Sequence, residues 1–419
     1  LLFLSQHEKT RKAHAWFGPN LRQFIICLTA RINENWRFGV LPVSQIAFCR
    51  FHLLCYGSNS LAVQTGGLLT MRSDAVSVFS VLFVCLIALE TACSGEDAHS
   101  LARLGGQMSS ADKVSLEEQV AKNPNDADSR TKLLGYYFIK GRQDADAKSN
   151  RQRHVVWLIE NAPESEVLGL PYGGLDKVLE KEGYARAKQA WLRIIQESPE
   201  KLSVLRNAST FFLLHDRKIS EELLLKGQTL DAKDPKWSSS LGQLYSLELM
   251  SLPAGPVRKA AADKAFQQYK LAYDLSDAEE RDALLVALAK TAFAAGLNDD
   301  AKTYATKLLD DNTAGWNRGN RIHHGNLILG QIALSDGNVD EAKSRLLLAG
   351  KTTGSPQLNS FGPNMQLAKE LLERGETKVV LEYFELCKKF WASPHRKLEQ
   401  WADDVKSNRI PQFGGNLAY

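Results

Sequence analysis

The chain has 419 residues, 44% of them hydrophobic and 24% charged, which is the make-up of a folded globular protein and excludes a largely disordered one. Its formal charge of +4 is unevenly spread: residues 1–70 carry seven Lys or Arg against two Glu, so the remainder sits near −1 and offers no electrostatic footprint for nucleic acid. Cys27, Cys49, Cys55, Cys85 and Cys93 all precede residue 94 and only Cys387 follows, which excludes a disulfide framework for the body.

Residues 1–70 contain no Met and keep no sustained helical or strand period, so they read as an upstream, non-native or disordered extension, or else as an unusual N-terminal segment. Met71 and Arg72 then open a different pattern, with an apolar run of fifteen residues from Ala75 to Leu89 between Asp74 and Glu90. A membrane span needs about 20 apolar residues, whereas a signal-peptide core needs about 7–15. The run ends in Thr91, Ala92, Cys93 and Ser94, and residues 71–93 thereby resemble a bacterial lipoprotein signal, with Glu90 standing where an apolar residue is usual. That resemblance implies lipidation at Cys93; simple cleavage nearby and an uncleaved anchor stay open beside it. Each of the three implies an extracytoplasmic body, periplasmic or attached to the membrane of a bacterial envelope through the N-terminal lipid or signal anchor. Residues 94–112, rich in Gly, Ser and Asp, are expected to be a flexible tether, with Ser109–Ser110 offering an N-cap to the first body helix.

From about residue 113 to 391 the apolar pattern is helical almost throughout, and the stretch Arg321–Gly350 shows its unit best. Leu329, Gly330 and Ala333 share one helical face, Gly337 and Asn338 break the helix, and Ala342, Leu346 and Ala349 mark the inner face of a second helix. Small residues let the two helices approach while Leu329 and Leu346 fill the seam, and one such pair needs neighbours to bury its remaining faces. Variants of the unit run through Leu133, Leu134 and Tyr137; Leu205, Ala208 and Phe212; Trp237, Leu241 and Tyr245, returning through Ala265, Tyr269 and Ala272; Leu288 and Ala292, returning through Ala301, Ala305 and Leu308; and Leu367 and Leu371, returning through Val380, Phe384 and Cys387. The landmarks Leu288, Leu329 and Leu367 lie about 40 residues apart. Residues 392–419 are expected to supply a charged capping helix bearing Trp401 and Val405, and a tail that packs back through Phe413 or Tyr419.

Leu241–Gly242 followed by Tyr245, with Trp237 displaced by one place, and Leu329–Gly330–Ala333 with Ala342, Leu346 and Ala349, resemble the tetratricopeptide-repeat signature. The resemblance implies an all-α fold, an α-solenoid of TPR-like helix-turn-helix repeats with a groove lined by the first helix of each pair. In that arrangement Arg206, Gln243, Lys290, Gln331 and Lys369 would project from successive first helices, joined by His324. Such long polar side chains suit the backbone or the carboxylates of an extended peptide.

Motifs for bond chemistry are scarce. Gly350–Lys351–Thr352 imitates the end of a phosphate loop, but Arg345 stands where the loop needs Gly and a helix precedes it. The adjacent pair His323–His324 points its rings about 100° apart and has no Cys, Asp or Glu at ligand spacing, so it reads as structural rather than as a metal site. Cys387, on an inner helical face, reads as a small buried hydrophobe. The expectation is therefore a non-catalytic scaffold of the cell envelope that binds a protein or peptide partner, with no cofactor and no metal. The alternative is an enzyme, or enzyme subunit, acting on envelope polymers. Partner identity and oligomeric state are left open by the sequence.

Overall fold

The computed structural model describes residues 97–417, apart from 142–143, 311–314, 316 and 392–395, and all of these belong to the unit Ala92–Tyr419. The expectations for residues 1–70, for the signal-like segment 71–93 and for Cys93 lie outside the described residues. Among the described residues there are seventeen α-helices and no strand. They are α1 (Ala98–Gln107), α2 (Ser110–Lys122), α3 (Ala127–Lys140), α4 (Ala145–Asn161), α5 (Lys181–Glu197), α6 (Leu202–Phe212), α7 (Arg217–Leu230), α8 (Pro235–Leu249) and α9 (Pro256–Leu275). The second half holds α10 (Ala278–Ala295), α11 (Asn298–Asp310), α12 (Arg318–Ser335), α13 (Val339–Gly350), the short α14 (Pro356–Phe361), α15 (Gln366–Leu372), α16 (Thr377–Cys387) and α17 (Lys397–Lys406). Helices that are neighbours in sequence are neighbours in space, pair after pair, and first helices of successive pairs also touch, as α10 does with α12. The described part of the chain is thus all-helical and solenoid-like.

Local chemistry sets the helix ends. Ser109 and Asp112 form a reciprocal capping box at the start of α2, satisfying backbone donors that the first turn leaves over. Asp126 and Asp277 cap α3 and α10, and Pro235 and Pro256 open α8 and α9 at the first turn, where a missing N–H costs nothing. Gly337, at φ 81°, turns the chain out of α12, and the Asn338 side chain then accepts from the Glu341 N–H to start α13.

The core runs as successive clusters. One joins Val155, Trp191, Phe212, Trp237 and Leu241; a second joins Phe266, Leu288, Ala292, Leu308 and Ile328; a third joins Leu346, Leu367, Phe384, Cys387 and Trp401. Leu346 and Ala342 are fully buried in the α12–α13 seam, and a Cβ on Gly330 would collide with Leu367. Leu329 differs from its expected role: it is half-buried and packs toward the preceding cluster, while Leu327 and Leu334 join the following one.

The tether expected over 94–112 is corrected. Residues 98–107 form α1, capped by Asp97 and laid across α3. The two glycines that make this stretch look like a linker are the reason it docks. A Cβ on Gly105 would sit on the Lys132 carbonyl and one on Gly135 on the Ala102 carbonyl, so the backbones touch where neither residue has a side chain. Between α4 and α5, where a first helix would stand, the chain makes two short 3-10 turns, Glu166–Gly169 and Pro171–Gly173, which bury Val167 and Leu168. At the other end α17 buries Trp401 and Val405 against Phe384, and Phe413 packs on Trp401 at 5.1 Å between ring centres.

Candidate functional site

A cavity of about 1110 Å³ opens along α8, α9, α10, α12, α14 and α15. Three of the residues expected to line a groove meet in it: Lys290 from α10, and His324 and Gln331 from α12. Arg206, Gln243 and Lys369 are not part of its wall. Arg206 is held elsewhere, its guanidinium 4.4 Å above the Trp237 ring and 2.7 Å from the Asp234 carboxylate. Gln243 is exposed, and Lys369 pairs with Glu373 one turn on at 3.3 Å.

His324 lines the cavity, and His323 lies buried beside it. His323 is fully buried and His324 nearly so. His323 Nδ1 lies 3.1 Å from the Ala349 carbonyl, and its Nε2 accepts from the Asn364 N–H at 3.1 Å. That pair of bonds needs a neutral ring protonated at Nδ1. Burial accordingly pushes the His323 pKa down to about 4, and His324 falls well below its ordinary value for the same reason, with the nearby Lys290 charge adding to both. Burial likewise pulls the Lys290 amine down to about 8.

One side of the cavity is cross-braced. Arg321 donates to the Lys307 and Leu308 carbonyls at 3.1 and 3.3 Å, covering acceptors that the end of α11 leaves over, and it forms an ion pair with Asp282 of α10. Three helices are thereby tied at one guanidinium. Asn320 at the start of α12 donates to Gln357 of α14 at 2.8 Å and accepts from the Ser355 hydroxyl at 2.7 Å. The far side carries Glu370, whose Oε1 accepts from Gln331 Nε2 at 3.2 Å and Gln366 Nε2 at 2.8 Å. Val286, Ala287, Leu327 and Ile328 line the stretch between with apolar surface, and Leu417 reaches the wall from the C-terminal tail. That tail is latched by Asn416, whose carbonyl accepts from the Met365 N–H and whose amide donates to the Phe361 and Pro363 carbonyls.

Arg258, Asp282, Asn320, Arg321, Gln366 and Glu370 were not among the residues expected from sequence, and each stands in the wall. Glu370 is one residue along from Lys369. A helical phase carried across the turn before α15 had only seven residues in which to show itself, and a shift of one residue rotates a side chain by about 100°. Gln366, four residues before Glu370, was the available signal, because that spacing places an amide over a carboxylate.

Among the described residues no group of three or more His, Cys, Asp or Glu is placed to hold a metal ion. Cys387 is fully buried, its thiol pushed up by burial and out of the range of a reactive thiolate. No described helix is long and apolar enough to cross a membrane. Compared with family models and with curated proteins, the sequence gives no match.

Proposed function

We propose that this chain is a protein-interaction scaffold of the TPR-like solenoid class, working without bond chemistry and held at a cell envelope by its N-terminal segment. It binds an extended segment of a partner protein along the inner faces of successive first helices. The observation that carries this reading is that α8, α10, α12 and α15, the first helices of consecutive pairs, wall a single cavity whose lining combines polar side chains with apolar ones. A chain segment needs that mixture: donors and acceptors for its backbone and apolar contact for its side chains. Gly242, whose Cβ would press on the Tyr269 ring, plays the part of the small residue in the repeat signature. The envelope placement rests on the resemblance of residues 71–93 to a lipoprotein signal.

The test is site-specific photocrosslinking in the native host. A crosslinker at Gln331 or Val286 should trap one segment of one protein, while the same group at exposed Gln243 should not; equal yields at the three positions would count against the groove. Cys93→Ala should move the protein from the membrane fraction to the soluble one. One feature favours the enzymatic alternative, a cavity amine at Lys290 with its pKa near 8. Turnover of an envelope polymer that survives Gln331→Ala and is lost in Lys290→Met would establish it.

A further inference from the structure

The groove reading leaves the character of the bound segment undefined, and Glu370 supplies it. Its carboxylate is half-buried in the cavity wall, and both of its carboxamide partners, Gln331 from α12 and Gln366 from α15, donate to the same oxygen, Oε1. Oε2 accepts no hydrogen bond, and no Lys, Arg or His lies within ion-pair distance of this carboxylate, among the described residues. Of the other carboxylates in this wall, Asp282 is paired with Arg321, and Glu279 is exposed in the first turn of α10, whereas Glu370 is half-buried. Two amides fix the orientation of Glu370 without neutralising it, so its charge is preorganised toward the cavity, where it is screened less than on an open surface.

Arg321 and His324 stand at one end of α12 and Gln331, with Glu370 beside it, at the other; seven residues of helix separate His324 from Gln331, about 10 Å. Three residues of extended chain cover about the same distance. A positive group arriving at Glu370 is attracted by its carboxylate.

We propose that the partner segment bound in this cavity carries a lysine or arginine, and that Glu370 is the specificity-determining residue that receives it. The inference rests on the groove reading and narrows it to a basic peptide.

The experiment uses the purified full-length protein with end-blocked, fluorescently labelled heptapeptides of one Gly/Ala/Ser sequence, carrying Lys, Gln or Glu at two central positions, and free spermidine as competitor. The Lys peptide is expected to bind at least 10-fold more tightly than the Gln peptide. Glu370→Gln, which keeps shape and an acceptor, should erase that difference with an unchanged melting temperature, and Glu370→Lys should reverse it in favour of the Glu peptide. Spermidine should displace the Lys peptide only weakly, because it lacks a peptide backbone. Equal binding of all three peptides, preference for the Glu peptide by the unaltered protein, or a Lys preference that survives Glu370→Gln would overturn the inference and leave the groove reading standing. Full displacement by spermidine at matched concentration would make the ligand a polyamine and overturn it too. Absence of binding by every peptide would remove the groove reading along with it.

Discussion

The seam between α7 and α8 and the seam between α11 and α12 solve the same packing problem in opposite ways. In the first, Trp237 of the incoming helix is buried against Gly227, where a Cβ would come within 2.5 Å of the ring. In the second, the incoming helix offers Gly325 and the outgoing one offers Leu309 and the Ala305 carbonyl. Knob and hole have changed sides. Four residues before the landmark leucine stands Trp237 in α8, Leu284 in α10 and Gly325 in α12, so the repeat keeps its geometry while its volume moves from one helix to the next. The consequence reaches the polar residues. Beside Trp237 the guanidinium of Arg206 lies over an aromatic face and is held by Asp234, whereas Lys290 lines the cavity together with Ala283, Ala287 and Ala294. Two cations in corresponding places thus have different fates, one a packing element and the other a cavity wall.

The largest break in this comparison comes from the tryptophan. Trp237→Ala should cost about 3–5 kcal/mol, because the Gly227 hole has no other occupant, and chemical denaturation will measure it. Peptide binding per folded molecule should stay unchanged; a loss of binding would mean that the two seams are coupled. Acid should act first on the cavity side. His323 is neutral in the folded protein with its pKa lowered to about 4, so between pH 6.5 and 4 the unfolded chain takes up a proton that the folded one refuses. Stability present above pH 6.5 is therefore lost as pH falls toward 4, by about 3 kcal/mol for this ring alone. His154 in the first pair is also buried, but Glu117 lies 3.0 Å from its Nε2 and offsets part of its charging cost. Hydrogen exchange against pH should thus show α12 and α13 opening before α3 and α4, and the reverse order would be wrong for this structure.

A smaller effect is expected in the α12–α13 seam. Ala342→Leu should overpack the fully buried site facing Gly330 and cost about 1–3 kcal/mol, read as a lowered melting temperature. Smallest is Arg206→Ala. Its ion pair is partly exposed, so solvent screening leaves about 1 kcal/mol between the pair and the stacking on Trp237. Heptapeptide affinity should not move, which separates Arg206 from Glu370 by function.

Much of this protein was legible from the sequence because helices are local objects. The N-cap at Ser109, the Gly337–Asn338 break and the inner positions Leu241, Leu288, Leu346 and Leu367 all rest on spacings of four residues or fewer, and each has the place its spacing gives it. The docking of α1 was hidden, because glycines that permit backbone contact have the composition of a linker until their partner helix is known. The membership of the cavity was hidden as well. Whether Arg206 faces a tryptophan or open space, and whether Lys369 or Glu370 turns inward, depends on helix phase carried across turns and on the volume that a neighbouring pair places opposite. Those quantities are set between helices, by side chains tens of residues apart, and they exist only once the pairs have stacked.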